Sequence, residues 1–258
     1  MKIIATTSQS QLEPDPLFRE FLDDSRFEYV PRLRRNLQVI KEECQADAIL
    51  VWQKPVPILY IGENKLFFHP SMAKVRLSAY RRKGQPDPLI EAAGIKAGDR
   101  VLDCTLGLGA DSIVLAYFAQ RQVVALESSP AIAYTIKWGM RLYHSPMSWL
   151  GDAIHNIQVE AIDHLSYLKG LPDKSFELVY FDPMFRKPLF KSETLTPIRV
   201  LGDPMPLSEE AISEAKRVAT KRVLMKERAG SPEFSRLGFI EKVGSVHNRV
   251  QFGVIEIK

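Results

Sequence analysis

The sequence predicts an α/β protein with a largely parallel sheet that helices cover on both faces. From Gly98 onward, almost continuously apolar strands alternate with helical segments, which is typical of a parallel sheet buried on both sides. Before Gly98, the predicted elements are shorter and are joined by proline-rich segments such as residues 13–16 and 54–57. We therefore predict a small α+β region over residues 1–70 and a main domain over residues 71–258.

The composition indicates a soluble globular protein. The 258 residues are 45% hydrophobic and 26% charged, as in ordinary soluble domains. No apolar run is long enough to span a membrane, and the first residues lack the apolar segment of a signal peptide. Cys44 and Cys104 have no second cysteine or histidine at a metal-ligand spacing, so no metal is expected. These features favour a cytoplasmic location and leave the oligomeric state open.

The chain up to Gly84 is predicted to form short strands and two helices. Apolar runs predict strands at Lys2–Thr6, Ala48–Trp52, Ile58–Ile61 and Lys65–Phe68. One helix is predicted over Pro16–Asp24. The second covers Met72–Lys83, with Ser71 as its N-cap and Gly84 after its last residue.

In the main domain, apolar strands alternate with helices. The predicted strands are Arg100–Cys104, Gln122–Glu127, Ile157–Ile162, Phe176–Asp182 and Arg222–Lys226. The predicted helices are Asp111–Ala119, Ala131–Tyr143, His164–Lys169 and Ser208–Ala219. A closing hairpin is predicted from Phe239–Val243 and Val250–Ile257. Since sheets of this kind bind ligands at the carboxyl ends of their strands, the candidate site residues are those that follow the strands.

A glycine-containing loop follows the first strand of the main domain. Gly107 and Gly109 allow a tight turn and a close approach of the backbone to a ligand. Ser112 stands where the dinucleotide-binding motif has its third glycine. Asp103 ends the strand with a carboxylate that an anionic pyrophosphate would not favour. A ligand with a cationic sulfonium and an amino group suits that carboxylate better.

Acidic residues also follow the second and third strands. Glu127 is placed to accept both hydrogen bonds from a ribose diol, although it also precedes an ordinary helix start at Ser128 to Pro130. Asp163 is placed to bind the exocyclic amine of an adenine, or it serves only as the N-cap of the helix that follows. Both interpretations stay open for each residue.

The motif Asp182-Pro183-Met184-Phe185 follows the fourth strand. The carboxylate of Asp182 and the carbonyl of Pro183 can accept hydrogen bonds from an amino group on a planar ring. This contact would aim the nitrogen lone pair at a methyl group, and the carboxylate would offset the positive charge that grows on the nitrogen. Phe185 can stack on the ring. The motif therefore suits methyl transfer to a ring amine, while a purely structural turn is the alternative.

Two basic segments accompany these motifs. Residues 64–85 contain basic side chains and no acidic one, and the basic residues are Lys65, Lys74, Arg76, Arg81, Arg82 and Lys83. Such a segment either contacts a phosphate backbone or forms a solvated helix face. Arg186 and Lys187 directly follow the Asp-Pro motif, and there we favour contact with a substrate phosphate.

Two motifs resemble a known family. Val101–Gly109, read as Val-Leu-Asp-Cys-Thr-Leu-Gly-Leu-Gly, resembles the first motif of class I methyltransferases. Thr105 within it, together with the Asp182 motif, resembles the bacterial small-subunit ribosomal RNA guanine-N2 methyltransferases of the RsmJ family. The resemblance extends from about Lys65 to Lys226. Ala110 departs from the arginine that is usual there, and the N-terminal region does not match, which suggests a sister group.

The resemblance implies a Rossmann-like sheet of seven strands with the last one antiparallel, and S-adenosylmethionine as cofactor. The implied target is an exocyclic amine of a nucleobase, most of all guanine N2 in ribosomal RNA, so the implied partner is RNA or the small ribosomal subunit. The implied cofactor residues are Asp103, Thr105, Gly107, Gly109, Glu127, Ser128, Asp163 and Asp182. The implied catalytic residues are Asp182, Pro183 and Phe185. The implied substrate contacts are Met184, Phe185, Arg186, Lys187, Arg81 and Arg82.

Other functions are compatible with the same motifs. A methyltransferase that acts on a small molecule or a protein would use the same cofactor loop and would not need a basic groove. A nucleotide-binding module without catalysis, or an NAD-dependent oxidoreductase, is a further alternative, and Ser112 argues against NAD.

Overall fold

The fold is described from a computed structural model, which describes residues 1–258 except 12, 86, 184–199, 203–204 and 245–248. Contacts divide the chain into two compact units. Within the described residues, the first unit contains 1–69, 129–144 and 200–202, and the second contains 70–128, 145–183 and 205–258. The first change of unit along the chain lies between residues 69 and 70, next to the boundary predicted at residue 70. The assignment of separate roles to residues 1–70 and 71–258 stays a prediction.

The elements alternate along the chain much as the sequence predicts. The strands are β1 (Ile3–Thr7), β2 (Glu28–Tyr29), β3 (Ala48–Trp52), β4 (Ile58–Ile61), β5 (Asn64–Leu66), β6 (Val101–Asp103), β7 (Val123–Leu126), β8 (Ile157–Glu160), β9 (Phe176–Phe181), β10 (Ala219–Arg228), β11 (Glu241–Val243) and β12 (Val250–Glu256). The helices are α1 (Pro16–Ser25), α2 (Leu37–Cys44), α3 (Ser71–Lys83), α4 (Pro88–Ala93), α5 (Ala110–Ala119), α6 (Pro130–Leu142), α7 (Ser148–His155), α8 (His164–Lys169), α9 (Glu209–Val218) and α10 (Glu233–Arg236).

The first unit contains a small mixed sheet in the order β2-β1-β3-β4-β5. β2, β1 and β3 are parallel, and β4 and β5 continue the sheet as antiparallel strands. Helix α1 begins where the sequence predicts, because Pro16 occupies its first turn and the Asp15 carboxylate accepts from the Phe18 amide at 2.8 Å. The predicted small α+β extension is therefore present.

Aromatic side chains form much of the core of the first unit. Phe18 stacks on Trp52 with ring centroids 5.2 Å apart, and Trp138 of α6 meets Trp52 at 5.6 Å and Phe21 at 5.8 Å. The indole nitrogen of Trp138 also donates to Asp24 at 2.8 Å. These contacts explain why residues 129–144 belong to the first unit, although they follow β7 in the chain.

The second unit contains the main sheet. Within the described residues, seven strands pair in the order β11-β12-β10-β9-β6-β7-β8. β10, β9, β6, β7 and β8 are parallel, and the last strand, β12, is antiparallel to both β10 and β11. The predicted Rossmann-like sheet with an antiparallel last strand, including the closing hairpin, is confirmed.

Alternation along the strands separates the two faces of this sheet. Val179, Phe181 and Met225 point toward the core that contains α9, whereas the Tyr180 hydroxyl binds Asp111 at the start of α5. Helices thus cover both faces. The sequence prediction omitted α2, α4, α7 and α10, because each is eight residues long or shorter and shows too little periodicity to be recognised.

Candidate active site

The loop between β6 and α5 is the first part of the site. Gly107 and Gly109 have φ angles of 51° and 78°, in the left-handed region that favours glycine. The Gly109 amide donates to the Leu106 carbonyl at 2.7 Å, and the Leu106 amide donates to Leu126 of β7 at 2.8 Å. The loop is therefore closed on itself and attached to the neighbouring strand, with Gly107 half-buried and Gly109 buried.

Asp103 ends β6 and is almost fully buried, with 1% of its surface exposed. Its carboxylate accepts hydrogen bonds from the Ser112 hydroxyl at 2.5 Å and from the Thr105 amide at 3.0 Å. Burial raises the pKa of Asp103 to about 7, and these two hydrogen bonds only partly oppose the shift. Ser112 thus has a role at this position: it supports the carboxylate that the sequence singled out.

Glu127 follows β7 and lies beside the glycine loop. The amide of Gly107 donates to its carboxylate at 3.3 Å, and its own amide donates to the Glu160 carbonyl at 3.1 Å. Its residue surface is 9% exposed. The exposed Ser128 comes next in the chain.

Asp163 follows β8 and caps helix α8. Its carboxylate accepts from the amide of Ser166 at 2.9 Å and from the hydroxyl of the same serine at 3.1 Å. The capping role that the sequence allowed is therefore present. The side chain is 44% exposed, so the cap leaves carboxylate surface accessible to a ligand.

Asp182 comes directly after β9 and next to the loop of β6. β6 and β9 are parallel neighbours, with Asp103 opposite Tyr180. The amide of Asp182 donates to the Thr105 hydroxyl at 2.6 Å. The structure therefore brings Asp103, Thr105 and Asp182 together. Pro183 follows and is half-buried, whereas Met184, Phe185, Arg186 and Lys187 lie outside the described residues.

Lys226 and Asp111 belong to the same site and were missed by the sequence analysis. The Lys226 ammonium lies 2.7 Å from Oδ2 of Asp182 and 2.9 Å from Oδ2 of Asp111. Asp111 also accepts from Tyr180 at 2.8 Å and pairs with Arg76. The local sequence around these residues carries only weak signals, since an acid in a first helical turn and a lysine in a strand both have ordinary structural explanations.

The charges of this group shift one another's pKa values. Burial raises the pKa of Asp182 to about 6, Lys226 opposes this shift, and the charge of Asp111 adds to it. Asp111 has a pKa well below its usual range, because Lys226 and Arg76 outweigh the effect of its burial. Asp182 is therefore mostly ionised at neutral pH but close to the point of protonation.

A surface of basic and aromatic side chains lies on α3, α5 and α7. The Arg81 guanidinium lies 5.2 Å from the ring centroid of Trp149 and donates to the Tyr117 hydroxyl at 3.0 Å. The Tyr80 ring lies 4.7 Å from that of Phe118. Arg82 is exposed, and its side chain donates to the backbone of its own helix. This surface combines cations with aromatic rings. Contact of residues 64–85 with a phosphate backbone stays a prediction, and a solvated helix face stays the alternative.

Across the described part of the chain, no group of three or more His, Cys, Asp or Glu side chains could hold a metal ion. In the same residues, no helix has the length and apolar character needed to cross a bilayer.

Comparisons with known proteins identify the family. Residues 45–237 match the model of a family described as "Putative SAM-dependent methyltransferase". The protein YpiP of Bacillus subtilis (strain 168) is 34% identical over 213 residues, which are 82% of this chain and 82% of that protein. Ribosomal RNA small subunit methyltransferase J of Aeromonas salmonicida (strain A449) is 32% identical over 160 residues, which are 57% of this chain and 62% of that protein. The chain thus spans less than two thirds of this second relative.

A solved structure has the same fold. The crystal structure of a SAM-dependent methyltransferase from Neisseria gonorrhoeae superposes with a TM-score of 0.67 at 20% sequence identity, over 99% of this chain and 96% of that one. The family match covers about three quarters of the chain. It confirms the predicted cofactor and decides against NAD. The chain belongs to the family of SAM-dependent methyltransferases, with a Rossmann-like class I fold and S-adenosylmethionine as its cofactor.

Proposed function

We propose that this methyltransferase modifies the exocyclic amine of a nucleobase in RNA, with guanine N2 of small-subunit ribosomal RNA as the first candidate. This proposal rests mainly on the hydrogen bond from the Asp182 amide to the Thr105 hydroxyl, because that bond holds the Asp-Pro motif next to the cofactor loop. A ribosomal substrate is consistent with the cytoplasmic location that the sequence predicts.

The carboxylates at the ends of β6, β7 and β8 fit the cofactor. Asp103, Glu127 and Asp163 lie at or just after the carboxyl ends of three neighbouring parallel strands. They match the ammonium of the amino acid end, a ribose diol and an adenine amine, in that order. S-adenosylmethionine supplies a methyl group whose bond to sulfur breaks, with the electron pair staying on sulfur, as the bond to nitrogen forms. The backbone at Gly107 and Gly109 and the side chains of Thr105 and Ser128 complete the proposed cofactor contacts.

Asp182 contributes the acceptor for the substrate amine. Lys226 already occupies Oδ2, so we assign Oδ1 to the amine N–H group. The carboxylate would stabilise the positive charge on the nitrogen and take up the proton that the nitrogen releases. The Pro183 carbonyl would share the contact. The predicted roles of Met184, Phe185, Arg186 and Lys187 in binding the substrate stay predictions.

Two observations support RNA over a small molecule or a protein as substrate. The surface of α3 carries exposed arginine and lysine side chains and no acidic residue, and Arg81 lies against aromatic rings, as in sites that bind single-stranded nucleic acid. The methyltransferase J relatives carry ribosomal RNA in their names. We therefore assign Arg81 and Arg82 to substrate binding.

The test is mass spectrometry of nucleosides after reaction of the purified protein with S-adenosylmethionine and either unmodified ribosomal RNA or small subunits. We expect a methylguanosine from the wild type and from D173N, which alters a carboxylate with 73% of its side chain exposed. We expect none from D182N. Methylation of a protein or a small metabolite instead of RNA would refute the proposed substrate, and full activity of D182N would refute the proposed role of Asp182.

A further inference from the structure

Lys226 lies in direct contact with the proposed acceptor but has no role in the function proposed so far. We propose that Lys226 is a positioning residue, whose ammonium group keeps Asp182 ionised and turned toward the substrate amine, while Asp111 and Arg76 fix the ammonium in place. This inference rests on the proposed function, because that function makes Asp182 the contact for the amine.

Strand alternation brings these groups to one face of the sheet. Tyr180, Asp182 and Lys226 all project on the side opposite Val179 and Met225, which is the side covered by α5. β9 and β10 are parallel neighbours, so the lysine reaches the end of β9. The result is a cluster of charged side chains on the face of the sheet that α5 covers.

Several hydrogen bonds fix the position of the ammonium. Its distances to the Oδ2 atoms of Asp182 and Asp111 are 2.7 and 2.9 Å, and the Tyr180 hydroxyl donates to the same oxygen of Asp111 at 2.8 Å. The side chains of Lys226 and Asp111 are only 24% and 12% exposed. Because two carboxylates hold it from two sides, the ammonium has little freedom to turn toward solvent.

Arg76 prevents Asp111 from moving away. Its Nε and Nη2 atoms bind both oxygens of Asp87 at 2.8 and 2.9 Å, and its Nη1 atom binds Oδ1 of Asp111. A guanidinium held in this two-pronged way is rigid. The chain of contacts therefore runs from α3 through Asp111 to Lys226 and ends on Asp182.

Removal of the ammonium would leave Asp182 among groups that disfavour its charge. The titratable and charged groups around the Asp182–Lys226 pair are Arg76 of α3, Asp87 before α4, Asp103 of β6, Asp111 of α5, Tyr180 of β9 and Glu227 of β10. Four of these are acids and one is a hydroxyl, and Arg76 is already paired with Asp87 and Asp111. Without Lys226, burial and the neighbouring carboxylates would favour the protonated acid. A protonated acid presents a donor where the amine N–H needs an acceptor.

The lysine keeps its own proton throughout. Burial lowers its pKa, but the two carboxylates outweigh this effect and raise the pKa above the usual range. The proton released by the substrate nitrogen therefore passes to Oδ1 of Asp182 and from there to water. The positive charge of the ammonium at Oδ2 favours this second transfer, which restores the ionised carboxylate.

The test compares the pH dependence of the methylation rate in the wild type and three variants. K226M removes the charge, K226R retains it, and D111N removes the acid that opposes ionisation of Asp182. In the wild type, we expect the methylation rate to fall as the pH drops through about 6, because Asp182 has a pKa of about 6. This fall is the acid limb of the pH profile. An opposite charge at this distance typically shifts a carboxyl pKa by about 1 to 3 units. In K226M the limb should rise by about two units, so the rate at pH 7 should fall about tenfold and recover at pH 9.

The other variants test the sign of the effect. D111N should move the acid limb in the opposite direction, below that of the wild type, because it removes a negative charge beside Asp182. The asparagine oxygen can still accept a hydrogen bond from the Lys226 ammonium, which stays paired with the Asp182 carboxylate. K226R should keep the limb within about half a unit of the wild type, since arginine is always charged. Calorimetry with S-adenosylmethionine should give similar affinities for the folded variants. A loss of rate in K226M that is equal at all pH values, or limbs that move the same way in K226M and D111N, would overturn the proposal.

Carbon-13 NMR of aspartate carboxyl groups gives a second measurement that needs no substrate. The signal that disappears in D182N identifies Asp182, and its titration should move to higher pH in K226M and to lower pH in D111N. An unchanged titration in both variants would overturn the proposal. If the wild type methylates no RNA while these shifts occur, the proposed function fails and the effect of Lys226 on Asp182 stands.

Discussion

Replacement of Asp103 by asparagine should abolish cofactor binding. It should also increase the stability of the free protein relative to the wild type, by an amount that grows as the pH rises. Burial raises the pKa of Asp103 from 3.8 to about 7. Between these values the folded state holds a proton that the unfolded state has lost, so the wild type loses stability as the pH rises through this window. The shift is about 3 units, and each unit is about 1.4 kcal/mol, which gives a loss of about 4 kcal/mol by pH 8.

The asparagine side chain has the same shape and no ionisation to oppose. Its packing and hydrogen bonds shift the stability of D103N by a constant amount, so the informative quantity is the change in the difference between D103N and the wild type with pH. We expect D103N to gain about 2 to 4 kcal/mol relative to the wild type between about pH 4.5 and pH 8. Urea unfolding of both proteins at a series of pH values measures this gain.

Cofactor binding supplies the second half of the assay. S-adenosylmethionine should raise the unfolding temperature of the wild type and of D152N, a variant of an exposed aspartate on α7, and should leave that of D103N unchanged. A stability difference between D103N and the wild type that stays constant with pH would refute the raised pKa of Asp103. Normal binding by D103N would refute its contact with the cofactor.

Three further variants test other parts of the protein. G109A should destabilise the protein by about 1 kcal/mol and weaken cofactor binding, because its φ of 78° is unfavourable for alanine; unchanged calorimetric binding would contradict this. D163N should keep the helix cap and the unfolding temperature but weaken cofactor binding about tenfold, since the adenine amine loses a charged acceptor; equal binding would leave Asp163 as a cap only. The double variant R82A/K83A should reduce the slope of log affinity against log salt for RNA by about 1.4, whereas K216A on α9 should not change it; equal slopes would exclude α3 from RNA binding.

The positions of the acidic residues at the strand ends were predictable from the sequence. Asp103 and Asp182 are separated by a long stretch of chain, but parallel strands in a doubly covered sheet place their carboxyl ends along one edge. The helix cap at Asp163 was also foreseen as an alternative, since an acid before a short helix is a common N-cap.

The ion pairs behind the site could not be predicted. Lys226 lies 44 residues from Asp182 and 115 residues from Asp111. The register of β9 and β10 and the packing of α5 against the sheet decide whether these side chains meet. Arg76 was assigned to the basic surface of α3, although its guanidinium is used inside the protein by Asp87 and Asp111. Ser112 was noted only because it is not a glycine. In each case the partner comes from a distant element, and local pattern carries no information about it.

Helix α6 shows that local sequence pattern also fails to reveal which unit a helix packs in. Its sequence predicts a helix of the main sheet, because it follows β7 in the alternating series. Its Trp138 and the aromatic residues of α1 and β3 instead make it part of the first unit. The two compact units are therefore not divided at a single point of the chain, and separate roles for residues 1–70 and 71–258 stay a prediction.

The most direct measurement is a crystal structure with sinefungin, whose amine stands in for the methyl group that is transferred. We expect its amino acid end at Asp103, its ribose at Glu127, and its amine facing the Asp182 carboxylate. Sinefungin bound at another edge of the sheet, or with its amine turned away from Asp182, would contradict the proposed arrangement for methyl transfer.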